Sequence, residues 1–116
     1  MPRRGFFQGD IVIINFPFSD QQDGKPRPAI VVSNSTVNKG DDVILAQITS
    51  NIRQDEFSFL LEDEDLTHSL QGVSEVRCHK MFTTAKDKIQ RKVSALKPHK
   101  NADLYNQIIS LLSPGA

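Results

Sequence analysis

A single cysteine, Cys78, among 116 residues leaves no partner for an intrachain disulfide. A reducing, cytoplasmic setting is therefore expected. Tryptophan is absent and tyrosine occurs once, so any aromatic stacking falls to the seven phenylalanines. The formal net charge is zero, which argues against holding nucleic acid by overall charge alone. No apolar run is long enough to span a bilayer, and the run Ile11 to Ile14 is too short for the apolar region of a secretory signal. Metal-ligand spacings such as C-x-x-C or H-x-x-x-H are missing, as are the glycine-rich phosphate loops. Metal and cofactor chemistry are accordingly not expected.

What remains suits one folded domain over residues 1–116. Hydrophobic residues make up 38% and charged residues 24%, enough apolar surface for a core and too little net charge for a disordered chain. The charges are unevenly placed. Arg77 to Lys100 carries eight Lys or Arg against the single acid Asp87, whereas Asp55, Glu56, Glu62, Asp63, Glu64 and Asp65 crowd the preceding stretch. One basic face, or two ordinary solvated surfaces, fit that distribution.

Asp10 to Phe16, Pro28 to Ser33, Val43 to Thr49, Phe57 to Leu61 and Val73 to Met81 are short runs rich in Val, Ile and Phe, separated by turn-forming residues. They predict antiparallel strands. Ile11 to Ile14 and Ala29 to Val32 are apolar on consecutive residues, so both faces should be covered, as in a small barrel. Residues 1–8 read as a flexible arm. The segment QQDGKPRP, Gln21 to Pro28, combines an Asp-Gly turn with two prolines and predicts a structured loop. Glu62 to Leu70 is expected to add a helical turn, and Ile89 to Leu96 a short strand with Val93 and Leu96 inward. A terminal helix is expected with Asn101 as N-cap and Leu104, Ile108, Leu111 and Leu112 on one face, ended by Pro114-Gly115.

Few residues carry possible chemistry. Cys78 and His79 are strand neighbours, so their side chains face opposite ways and cannot act as a nucleophile–base pair. Arg27 lies between two prolines: Pro28 disfavours the α region for it and Pro26 stiffens the approach. An extended, fixed arginine can offer a bidentate fork to a phosphate; it can equally serve as a loop ion-pair partner. Thr49-Ser50-Asn51 closes an apolar strand with hydroxyls and an amide, suited to a phosphate or base edge or simply to ending the strand.

These same residues resemble the MazF/PemK family of toxin ribonucleases. Three blocks carry the likeness in order: GDIVIINFPF from Gly9, DGKPRPAIVVS from Asp23 and VILAQITSN from Val43. A looser fourth, GVSEVRCHKMFTTAKDKI from Gly72, follows, so the likeness covers nearly the whole chain. It implies a mainly β fold, a small SH3-like five-stranded antiparallel barrel with a C-terminal helix, forming homodimers with single-stranded RNA lying between protomers. It also implies metal-independent cleavage, in which the substrate's own 2′-hydroxyl attacks to leave a cyclic phosphate and a free 5′-hydroxyl, and a cognate antitoxin partner.

By the same resemblance, Arg27 matches the catalytic arginine and Thr49 the catalytic threonine. The base is a departure, since His79 stands after Arg77-Cys78 where one branch of the family has Asp; histidine titrates near neutral pH and can take or give a proton there. Lys25, Arg53, Arg77, Lys80 and Lys86 are candidates for the RNA backbone, Ser50 and Asn51 for polar contacts, and Phe18 for base stacking; Phe16 suits a core or dimer contact. A CcdB-like toxin that binds a topoisomerase without cutting RNA is the alternative, but that family depends on a tryptophan-containing tail and this chain ends LLSPGA. A barrel used only for interaction is a third reading.

Overall fold

Each strand of this chain carries apolar residues on both of its faces, and the architecture follows from covering both. The computed structural model describes residues 5–15 and 25–115. Its elements are β1 (Asp10–Asn15), β2 (Pro26–Val31), α1 (Ser35–Asn38), β3 (Asp42–Thr49), β4 (Ser58–Leu61), β5 (Ser74–Ala85), β6 (Ile89–Ala95) and α2 (Pro98–Leu112), with single 3-10 turns at Asp63–Asp65 and Lys86–Lys88. All six strands form one antiparallel sheet in the order β4-β5-β3-β2-β1-β6.

Side chains alternate along a strand, so each sheet face collects its own cluster. One face gathers Ile11, Ile30, Ala46, Ile48, Val76 and Cys78, covered by Phe59 and Leu61 of β4 and by Leu104 and Ile108 of α2. The other gathers Val12, Ile14, Ala29, Val31, Val43, Leu45 and Phe82. Pairing Ile11 with Ile30 and Val12 with Ala29 keeps each residue within its cluster, and a one-residue slip would exchange the two faces. The expectation of two covered faces holds.

Several sequence expectations need correction. The strands number six rather than the five that the resemblance implies, because the short strand expected at Ile89 to Leu96 forms, as Ile89–Ala95, and pairs with β1. The sheet is also not closed. Its ends approach where Leu66 bridges Leu96 and Thr67 N–H donates to Ala95 O, but the chain leaves β4 into the Asp63–Asp65 turn rather than continuing as a strand. Asn101 is not an N-cap: α2 begins at Pro98 after Lys97, proline being favoured in the first helical turn where no backbone N–H is needed. The Asn101 side chain instead donates to Gln8 Oε1. Helix α1, capped by the Asn34 side chain accepting Thr36 N–H, was not anticipated.

A pocket of about 350 Å³ lies between α2 and the sheet, lined by Val32, Ile44, Met81, Tyr105, Ile109 and Leu112 among others. Tyr105 and Leu112 remain 51% and 60% exposed at its rim. Among the described residues no helix is long and apolar enough to cross a membrane.

Candidate active site

The second sheet face changes character along its length. On β3 it runs from buried Val43 and Leu45 to half-buried Gln47 and Thr49, and on β2 from buried Val31 and Ala29 to exposed Arg27. The polar end of this face is the candidate site.

Arg27 lies within β2 rather than ahead of it, because the strand begins two residues earlier than expected, at Pro26. It pairs with Ile14 of β1. Both flanking prolines lack an N–H to give the ladder, yet they hold the backbone extended. Ala29 pairs with Gln47 on β3, and continuing that register two residues sets Arg27 across from Thr49. Thr49 in turn pairs with Glu75 of β5. Ile14 and Arg27 thus pair on β1–β2, and Thr49, Glu75 and Leu60 form one row across β3, β5 and β4. Thr49 Oγ1 accepts the N–H of Asn51 at 3.0 Å, which shapes the turn and leaves the hydroxyl proton to donate outward. Ser50, Asn51 and Arg53 are exposed on the loop that follows.

That loop is held by Glu75, which the sequence reading did not single out, together with Arg77 and Asp55. Glu75 is fully buried. Its Oε1 accepts backbone N–H groups from Arg53 at 3.1 Å and Gln54 at 3.3 Å. Its Oε2 accepts from Ser58 Oγ at 2.8 Å and from Arg77 at 2.7 Å. Arg77 grips Asp55 with both ends of its guanidinium, at 2.9 and 3.0 Å. The Asp55 carboxylate also accepts Phe57 N–H. Hydrogen bonding from Arg77 holds the Asp55 carboxyl well below the usual carboxylate range. Burial alone would raise Glu75, but donation from Ser58, Arg77 and the two backbone N–H groups outweighs it and lowers the pKa. Arg77 is raised chiefly by its bond to Asp55.

Arg77, expected on the RNA backbone, is therefore 7% exposed with its guanidinium committed to two carboxylates. The available signal was Glu75 and Arg77 two residues apart on one strand face, with apolar Val76 and Cys78 opposite.

Between Ala46 and Gln47 the β3–β5 register jumps, Ala46 facing Met81 and Gln47 facing Arg77. Cys78, His79 and Lys80 form the resulting bulge, a device that re-aims side chains. Cys78 turns inward, and burial pushes its thiol up to about 11, so it is no thiolate nucleophile. His79 turns outward and stacks on Phe57, ring centroids 4.0 Å apart. Burial first, then the positive charges of Arg77 and Lys80, lower its pKa and favour the neutral ring.

The remaining candidates divide. Lys25 and Lys80 are exposed next to this end of the sheet. Lys86 is not brought there: its N–H bonds Asp41 O beside the start of β3, seven residues from Thr49, or roughly 23 Å along the strand. Phe16, Phe18 and residues 21–24 of the loop lie outside the described residues. Among the described residues no group of three or more His, Cys, Asp or Glu is placed to hold a metal ion.

Comparison with known proteins gives a family match over residues 7–112, to the PemK-like, MazF-like toxin of type II toxin–antitoxin systems. An endoribonuclease MazF of Staphylococcus saprophyticus subsp. saprophyticus is 26% identical over 103 residues, covering 87% of this chain and 86% of that protein. The fold is shared with MazF in a MazE–MazF crystal structure from Deinococcus radiodurans, with a TM-score of 0.75 at 21% identity, covering 94% of this chain and 97% of that one. It is shared too with a mycobacterial endoribonuclease solved with its cognate antitoxin, with a TM-score of 0.72 at 18% identity, covering 95% and 98%.

Proposed function

The chain belongs to the PemK-like, MazF-like toxins of type II toxin–antitoxin systems, and on that premise we propose that it is an endoribonuclease that cuts single-stranded RNA at the Arg27–Thr49 end of its sheet. The observation that carries the reading is Arg27 itself. It is exposed, held extended between two prolines, in no ion pair among the described residues, and on the same sheet face as Thr49, two residues beyond the Ala29–Gln47 pair.

The chemistry is attack of the 2′-hydroxyl oxygen on the adjacent phosphorus. The 2′ proton leaves to a base, negative charge grows on the non-bridging oxygens, and the 5′ oxygen departs with a proton. The products are a cyclic phosphate and a 5′-hydroxyl, with no metal required. Arg27 offers its fork to the developing charge, a kind of donation whose loss costs roughly 10²- to 10³-fold in rate. Thr49 donates its hydroxyl to orient the phosphate. His79, kept neutral by its surroundings, takes the 2′ proton. Lys25, Ser50, Asn51, Arg53 and Lys80 line the approach for phosphates and splayed bases.

The partners follow from the same reading. A second copy of the chain covers the apolar pocket along α2, and a cognate antitoxin closes the RNA groove. Sedimentation should show a dimer that Leu112→Asp dissociates; an unchanged dimer would place the interface elsewhere.

The deciding experiment incubates pure protein and its Arg27→Ala variant with mixed-sequence single-stranded RNA in chelator. The wild type should cut, and the variant should cut roughly 10²- to 10³-fold more slowly. Uncut RNA with the wild type, or equal cutting by both, would overturn the reading.

A further inference from the structure

Glu75 is the most deeply buried acid near the site, and no step of the cleavage chemistry uses it. A carboxylate has about four acceptor positions, and four donors meet this one: Arg53 N–H, Gln54 N–H, Ser58 Oγ and Arg77. Two of the four are backbone groups of the loop that begins at Thr49. The same carboxylate stands on the residue directly across the β3–β5 ladder from Thr49. Gln54 has a left-handed backbone, φ 51°, a conformation unfavourable for a residue with a side chain. Its N–H is one of the two that Glu75 receives. Arg77 and Asp55 complete the anchorage, since Arg77 ties Glu75 to the Asp55 carboxylate farther along the same loop.

We infer that Glu75 is the positioning residue of the Thr49–Asn51 turn, its buried carboxylate clamping the backbone of the following loop so that the Thr49 hydroxyl and the Ser50 and Asn51 groups face a bound phosphate. The inference rests on the ribonuclease reading for its consequence and on hydrogen-bond geometry for its mechanism. Glu75 touches no substrate and acts through the loop. Arg77, buried on the same carboxylate, belongs to this clamp and not to the RNA-binding surface.

Glu75→Gln tests it with almost no change of volume. The amide keeps one acceptor oxygen, which the charged Arg77 claims together with Ser58, and turns its NH₂ toward the two backbone N–H groups, which lose their acceptor. Exchange of the Arg53 and Gln54 amide hydrogens should rise at least about tenfold, while the β3 amides stay protected. Unchanged exchange overturns the clamp, whatever the protein does to RNA. With mixed-sequence single-stranded RNA, the single-turnover rate should fall about tenfold or more with half-saturation within about twofold, as expected when a reacting group is displaced rather than removed. On a Thr49→Ala background, Glu75→Gln should add less than about a twofold loss, because the clamp acts through that hydroxyl. A full multiplicative loss there, or a wild-type rate in the single variant, overturns the positioning role. Should Glu75→Gln fail to fold, Glu75→Asp, whose carboxylate is drawn back by one methylene from the Arg53 and Gln54 N–H groups, is read by the same three criteria. Wild-type protein that leaves RNA uncut overturns the ribonuclease reading alone, and amide exchange still decides the clamp.

Discussion

Arg27 and Arg77 share one face of one sheet, two strands apart, and their surroundings are opposite. Arg27 meets no carboxylate among the described residues and stands in solvent with its five donors open. Arg77 meets two, Asp55 and Glu75, and is buried with them. A guanidinium is always charged, so its task is decided by whether the chain supplies the counter-charge or leaves that to a ligand. At the β2 end of the proposed site, Arg27 is exposed and has no carboxylate partner among the described residues. The β5 end has supplied its own anions and become scaffold.

Arg77→Ala should break this comparison most severely. It leaves the Glu75 carboxylate buried with its strongest partner gone, a change that typically costs about 3–5 kcal/mol of stability. Arg27→Ala, at an exposed position, should stay within about 0.5 kcal/mol of wild type. Urea unfolding of both proteins checks the contrast, and similar midpoints for the two variants would abolish it.

Acid should separate the two ends next. Asp55 and Glu75 have folded pKa values below their ordinary ones, so the folded state resists protonation. The stability they contribute is fully present above the unfolded carboxylate range, near pH 4, and is lost as pH falls through that range towards their folded values. Unfolding free energy should therefore hold from pH 7 to about pH 5 and then decline. Glu75→Gln should flatten that decline, whereas Arg27→Ala should leave its slope unchanged. An acid limb as steep in Glu75→Gln as in wild type would show that other carboxylates govern it.

Much of this was legible in the sequence, and the unread parts share a cause. Alternation and turn residues reveal the strands because those signals are local, and Pro26 and Pro28 constrain Arg27 wherever it sits. The helix start was legible too, but Pro98 was the signal to read rather than Asn101. The sixth strand was visible as Ile89 to Leu96, although its role as an edge depends on pairing with β1, distant in sequence. Glu75 and Arg77 appear in SEVRCH as an ordinary alternating pair that a solvated strand would also show. Their burial depends on residues 51–57 folding back over β5, and on a bulge at Cys78–Lys80 that no local pattern announces. Register across three strands builds the candidate site, and one strand at a time does not disclose it.

The smallest expected effect sharpens the scaffold side of the comparison. Gln54 and Gln71 both have left-handed backbones, φ 51° and 62°, but Gln54 N–H is held by a buried carboxylate whereas Gln71 N–H bonds the exposed Ser69 hydroxyl. Glycine tolerates that conformation without the side-chain penalty, offset in part by its greater freedom when unfolded. Gln54→Gly should therefore raise stability by up to about 1 kcal/mol. The N–H that Glu75 receives is retained, so cleavage should persist. On a Glu75→Gln background the gain should shrink, because residue 54 is no longer compelled to stay left-handed, whereas the gain from Gln71→Gly should be the same on either background. Thermal unfolding of the three single and two double variants resolves this. An equal gain from Gln54→Gly with and without the Glu75 carboxylate would mean that the loop holds its shape unaided, and that Arg77 and Glu75 merely neutralise each other beneath it.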